Sequence, residues 1–212
     1  MSALPKPFVT PEQYLEIERK AEYKSEYHSG QMFAMAGGSP LHSAIGTNIV
    51  GELRNRLRGT SCQPFNSDLR VYIPATGLFT YPNASVVCGQ QGLQLFDQDN
   101  LVNPVAPFEV LSSSTESYDR GAKFALYQRL PSLQEYMLVS QNAPQVERYA
   151  RQPNGRWLYE LVEGLEASMA LEALGVVLPL AEIFDRVTFP ISEAGTILPR
   201  EPQEKQTGEH TP

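Results

Sequence analysis

The sequence predicts an α/β layered domain, a central mixed β-sheet flanked by helices, and three observations carry that reading. Short apolar, β-favouring runs recur from Cys62 to Leu161, each bounded by turn residues. Two helical stretches lie among them, and the first repeats an aliphatic residue every four positions at Leu41, Ile45, Ile49, Leu53 and Leu57. Most connections are short, which suits helices packed on both sides of a sheet. With 212 residues, 42% hydrophobic and 19% charged, the chain is long enough for one domain with a substantial core.

In chain order, Thr10-Pro11-Glu12-Gln13 reads as a helix start: Thr10 caps, Pro11 takes the first helical position, and Gln13 closes a capping box, so helix one runs to about Ala21. Residues 25–36 suggest a hairpin turning at His28-Ser29-Gly30. Gly37-Gly38-Ser39-Pro40 opens the long second helix, whose N-terminus with Ser39 and His42 is either a plain cap or a place for a phosphate. Arg54, Arg56 and Arg58 at its far end form a solvated face or touch DNA backbone. Residues 62–73 read as one strand with Asp68, Arg70 and Tyr72 on one face. The turn at Pro74-Ala75-Thr76-Gly77 returns it into a strand at 79–88, bringing Asp68 towards the level of Asn83. Residues 89–104 lack periodicity and read as a loop over the site.

A strand at 107–112 precedes a helix at 115–130, stopped before Pro131 and carrying Asp119, Lys123 and Tyr127. Then come a strand at 135–140, a hairpin about Pro153-Asn154-Gly155, and a short last helix or turn within 178–187. The expected central sheet holds strands 67–73, 79–88, 107–112 and 135–140, with helices 40–58 and 115–130 packed on it. One domain is expected over 1–192, and the polar, Pro-rich segment 193–212 reads as a disordered tail.

A net charge of −7 argues against a general nucleic-acid coat, although a local basic face can still meet DNA. Cys62 and Cys88 are too few for a disulfide framework, and two buried free thiols in a reducing cytoplasm are expected. No apolar run approaches the roughly 20 residues that span a bilayer, so no membrane partner and a cytoplasmic location follow. No Walker loop, dinucleotide fingerprint, nucleophile elbow or Cys/His zinc spacing is found.

The anomaly is Glu109, a carboxylate inside the apolar run Phe108-Glu109-Val110-Leu111. Burying it costs several kcal/mol, roughly, unless a cation or donors meet it, and its pKa is then raised. Lys123, one helix later, is the nearest partner along the chain, and a divalent metal would serve equally. An i,i+4 ion pair with Asp119 is the plainer account of Lys123.

Tyr81-Pro82-Asn83 ahead of an apolar strand, then Glu109-Val110-Leu111-Ser112, then Lys123 on the following helix resemble the Uma-type restriction endonuclease family, a branch of the PD-(D/E)XK nuclease superfamily. The likeness runs from about Phe8 to Phe189 and includes Ser25 to Gly30, Ser39 to Ser43 and Ser67 to Val71. It implies a restriction-endonuclease-like fold, a Mg²⁺ or Mn²⁺ cofactor, DNA as substrate and a homodimer. Glu109 matches the metal-ligand Glu, Lys123 the catalytic Lys, and Glu26 a further acid that the family often keeps. Asn83 stands where the motif has Asp, so Glu109 and Asn83 would hold the metal, one by a charged oxygen and one by a neutral carbonyl. The resemblance thus implies a Mg²⁺-dependent DNA endonuclease with a weakened site, which Asp68 or Glu26 could reinforce. The alternative is a lapsed nuclease fold serving as a DNA-binding or protein-interaction module. A third is a soluble α/β protein whose Glu109 and Lys123 form only a structural ion pair.

Overall fold

Pro82 and the Asn66-Ser67-Asp68 turn decide the architecture, because each ends a strand that the apolar pattern would continue. The structure, a computed structural model, describes residues 8–35, 37–89 and 93–189; the expected tail lies outside them. Helix α1 (Pro11–Glu18) begins on the capping box: the Thr10 side chain accepts from the Gln13 amide at 3.3 Å, and Gln13 Oε1 accepts from the Thr10 amide at 2.9 Å. It ends three residues before Ala21. Strands β1 (Ser25–His28) and β2 (Gln31–Ala34) form the expected hairpin, with Ser29 and Gly30 at φ of 50° and 79°, the left-handed pair a two-residue turn demands. Ser39 caps α2 (Pro40–Arg56), accepting from the His42 amide, and Ile45, Ile49 and Leu53 are fully buried as the four-residue stripe requires.

The expected single strand at 62–73 is two. β3 (Gln63–Asn66) stops where Asn66 Oδ1 accepts from the Asp68 amide at 3.1 Å, an Asx turn that redirects the chain into β4 (Arg70–Ile73). The run 79–88 likewise splits into β5 (Leu78–Thr80) and β6 (Ala84–Val87), since Pro82 has no N–H to extend a ladder. Residues 95–101, read as loop, hold a small hairpin, β7 (Leu95–Phe96) and β8 (Asn100–Leu101), fastened where Asp97 and Asp99 meet Arg19. β9 (Ala106–Val110), helix α3 (residues 116–127) and β10 (Glu135–Val139) make a parallel βαβ unit. β11 (Gln145–Arg151) and β12 (Trp157–Glu163) form the hairpin about Pro153-Asn154-Gly155; β13 (Ser168–Leu171), β14 (Val176–Pro179) and a helical turn, Leu180–Ile183, complete the chain.

One mixed sheet was expected; among the described residues there are two of six strands, ordered β2-β1-β5-β4-β8-β7 and β12-β11-β10-β9-β6-β3, and a two-stranded third, β13-β14. β4 and β5 therefore leave the central sheet, while β6, β9 and β10 stay in it. Residues Ala84, Phe108, Val110, Met137 and Val139 on one face of the second sheet pack on α2. Val87, Leu111, Tyr136 and Leu138 on the other face enclose α3 together with Val71, Ile73 and Leu78 of the first sheet. So α3 is sandwiched between the two sheets. Cys62 and Cys88, expected as free thiols, form a disulfide with Cα atoms 4.0 Å apart. The β3–β6 register makes them directly opposed, one step beyond Gln63↔Val87.

Candidate active site

Strand alternation turns Phe108 and Val110 towards α2 and so must turn Glu109 towards α3. Its carboxylate is buried, and there it meets the Lys123 ammonium at 3.0 Å. Two further carboxylates reach the same nitrogen: Glu26 from β1 at 2.9 Å and Asp119, one turn earlier on α3, at 3.4 Å. Three acids and one lysine, all buried or nearly so, thus converge from both sheets and the helix between them. The tertiary fold joins the bland account of Lys123 and the functional one, because the Asp119 pair and the Glu109 pair share the ammonium.

Around them, the Tyr127 hydroxyl donates to Glu109 Oε1 at 3.3 Å and Thr80 Oγ1 to Glu26 Oε1. Asp119–Lys123 is a π-helical turn, a form that recurs at functional sites, and the Asp119 carbonyl accepts from the Tyr136 hydroxyl at 3.1 Å. Each acid engages Lys123 through one oxygen: Oε1 of Glu26, Oε1 of Glu109 and Oδ1 of Asp119.

Burial pushes the Glu109 carboxyl up to about 8, opposed by the Lys123 ammonium and reinforced by Asp119 and Glu26. The raised value expected for a lone buried carboxylate is therefore present. For Lys123, burial alone would favour the neutral amine, but Glu109, Glu26 and Asp119 overcome it and hold the ammonium protonated well above its ordinary value. Burial pushes the Tyr118 phenol at the mouth of the cluster up to about 12.

Asn83 is placed differently from a free ligand. The Leu111 amide donates to Val139 on β10, so the Val110 amide points the other way, towards β6, whose ladder with β9 has ended at Ala84↔Phe108. Asn83 Oδ1 fills that gap, accepting from the Val110 amide at 2.7 Å, while its Nδ2 lies 3.3 Å from His42 Nε2. Burial keeps His42 below its ordinary pKa. Asn83, just before the Ala84↔Phe108 pair, turns its side chain to the α2 side, beside His42 and Gly46, whereas Glu109 faces α3. Ser39 Oγ donates to Gln141 Oε1 at 2.9 Å and Gln141 Nε2 donates to the Leu111 carbonyl, tying the α2 cap to the end of β9.

Asp68 does not join the cluster. Its exposed carboxylate pairs with Lys24 at 2.6 Å and accepts from Asn66 Nδ2, because the Asx turn carries it away from the strand level of Asn83. Glu26, Glu109 and Lys123 are brought together, whereas the Asn83 side chain is held by the Val110 amide and His42 on the α2 side. Asp119, Tyr127, Thr80 and His42 complete the surroundings. Tyr127 carried a signal, being four residues beyond Lys123 on the same helical stripe; Thr80 carried none.

As the side chains stand, no group of three or more His, Cys, Asp or Glu among the described residues is arranged to hold a metal ion. The donor chemistry still suits a hard cation, since each of the three carboxylates has a second oxygen outside its contact with Lys123.

A mixed α/β domain that gathers buried acids and a lysine beside the ends of its central strands has the restriction-endonuclease-like architecture. A crystal structure titled "putative nuclease belonging to DUF820" from Anabaena variabilis shares the fold, with a TM-score of 0.69, 17% identity, and 85% of this chain and 99% of that one covered. The Uma2 family, described as "Putative restriction endonuclease", matches residues 11–181, and this chain belongs to it. Two relatives from Synechocystis sp. are the uncharacterized proteins slr1290 and sll1609. The first is 37% identical over 188 residues, 87% of this chain and 96% of the relative. The second is 30% identical over 161 residues, 76% and 91%. Among the described residues no helix is long and apolar enough to cross a membrane.

Proposed function

We propose that this protein is a metal-dependent DNA endonuclease of the cytoplasm, working as a homodimer, whose activity is attenuated because Asn83 replaces a carboxylate. The observation that carries the reading is the buried Lys123 ammonium shared by Glu109, Glu26 and Asp119, within a chain of the Uma2 family. Glu109 and Asn83 would hold Mg²⁺ or Mn²⁺, which when bound activates water and stabilises charge developing on the phosphate. Lys123 orients the attacking water or steadies that charge, and Glu26 and Asp119 keep it charged and aimed. Tyr127 fixes the Glu109 rotamer through its hydroxyl.

Asn83→Asp tests the reading. The substitution changes almost no volume, keeps an acceptor for the Val110 amide and restores the second carboxylate. In a plasmid-nicking assay with Mg²⁺ or Mn²⁺, the wild type is expected to nick slowly and Asn83→Asp faster by about tenfold or more, worth about 1.4 kcal/mol of transition-state stabilisation. Lys123→Ala in that background is expected to abolish cleavage. No cleavage by wild type or Asn83→Asp would remove the endonuclease reading and favour the binding module.

A further inference from the structure

Of the four charged side chains in the cluster Glu26 is the most exposed, so the cluster meets solvent on the side of β1 and β2. There Phe33 of β2 is directly opposed to Glu26, and the pair shares the face turned towards α3. Tyr27 and Met32, the next pair along, share the other face and pack with Tyr14 and Leu15 of α1. Inward from Glu26 the row continues through Thr80 to Val71 in the core, so Phe33 is its solvent end, 49% exposed. On the helix side Tyr118, one residue before Asp119, is 36% exposed, and Glu26 is the charge that acts most strongly on its phenol. Two open aromatic rings therefore flank the acid through which the cluster reaches solvent.

We infer that Phe33 and Tyr118 stack on the bases of an unpaired strand, so that the substrate class of this site is single-stranded DNA, including the unpaired segments of a duplex. The inference rests on the endonuclease reading of the same cluster and goes further by naming the form of DNA. An aromatic ring binds the face of any base, and in a duplex those faces are covered by neighbouring base pairs. A duplex is held instead through its phosphates, by lysines and arginines free to meet them. The lysine or arginine nearest along the chain to each ring is already paired, Lys24 with Asp68 and Arg120 with Glu116 and Glu147, and the chain carries a net charge of −7. Depth points the same way: the Lys123 and Glu109 side chains are 6% and 5% exposed, whereas the phosphates of a stiff duplex stay at its outer surface. A flexible single strand can turn one phosphate inward while its bases rest on the rings.

Fluorescence anisotropy of the full chain in chelator, where no metal supports cleavage, compares a labelled single-stranded DNA oligonucleotide with the same strand in a duplex. The wild type is expected to bind the single strand about tenfold or more tightly, and Phe33→Ala and Tyr118→Ala each to lose about tenfold of that affinity, the scale of one lost base stack. Tyr118→Phe, which keeps the ring, is expected to bind as the wild type does, and native circular dichroism accompanies each variant. Equal binding of the two forms by the wild type overturns the inference, as do alanine variants that bind the single strand undiminished. Cleavage is read separately with Mg²⁺ or Mn²⁺: supercoiled plasmid, in which torsion opens the duplex, is expected to be nicked faster than relaxed plasmid, and equal rates overturn the inference. Single-strand binding that depends on both rings, with no strand cut, upholds the binding of unpaired DNA and removes the endonuclease reading, so the two failures are distinct.

Discussion

Two buried cations sit on opposite faces of the central sheet, each ringed by three carboxylates, and they are built differently. Arg148, opposite Met137 on the α2 face, meets Glu135 at 2.9 Å, Glu160 at 3.0 Å and Glu172. Two of its partners are at the rim, with side chains 47% and 69% exposed. The partners of Lys123 are 13%, 5% and 4% exposed, so none can turn to water. A guanidinium spreads its charge over a fixed fork and stays charged in any protein setting, which suits a fastening. An ammonium is a compact charge that several oxygens can share, and burial, reinforced by the neighbouring Asp119 and Glu26, pushes the Glu109 carboxyl up to about 8 beside it. The first cluster ties strands to one another with partners open to water; the second encloses its charges between the two sheets.

Removing each cation should break this contrast open. Lys123→Ala strands three enclosed acids and is expected to cost about 3–5 kcal/mol of stability at neutral pH. Arg148→Ala is expected to cost about 2 kcal/mol, since only Glu135 is left enclosed while Glu160 and Glu172 swing outward. Urea denaturation checks both, and equal losses would mean that the two clusters are alike.

Acidity sharpens the difference. A glutamate in the unfolded chain titrates near 4.5, but folded Glu109 does so at about 8. The native state therefore binds a proton that the unfolded chain releases between these values. The stability from this group is full below 4.5 and is lost as pH rises through 8. Between pH 5 and pH 9, in chelator, the wild type is expected to lose about 2–4 kcal/mol more than Glu109→Gln. Parallel pH profiles for the two proteins would contradict the shift.

The smallest effect belongs to the acid outside both clusters. Asp68→Ala, removing an exposed pair with Lys24, is expected to change stability by less than about 0.5 kcal/mol and to leave nicking unaltered. A loss of cleavage would return Asp68 to the site.

Much of this was legible in the residues. The α1 capping box, the four-residue stripe of α2 and the Pro-Asn-Gly hairpin are local features, and each was found where its chemistry placed it. Glu109 announced itself as a charge inside an apolar strand, and Lys123 followed as its partner. What was hidden depends on pairing between distant segments. The run 79–88 looks continuous because β5 and β6 are both buried, in different sheets, and in 62–73 nothing in the local pattern separates the half-exposed β3 from the buried β4 of the other sheet. Cys62 and Cys88 became a pair only once β3 and β6 were aligned, since spacing along the chain carries no register. Glu26 was matched by resemblance, but its contact with Lys123, across 97 positions, comes from the β1–β5 pairing that sets it beside Thr80.

The short step Tyr81-Pro82-Asn83, which carries the chain from one sheet to the other, has a mechanical meaning. Glu26 rides on the first layer and Glu109 on the second, and the Lys123 ammonium spans the gap between them at 2.9 and 3.0 Å. Lys123 is thus a clasp. Any breathing of the two layers opens it first at one acid or the other, and a polyanion pressing into the seam would compete for the same positive charge. The site is a gauge of the spacing between the layers, and Asn83, hydrogen-bonded to the Val110 amide where the chain crosses, holds one jaw of that gauge still.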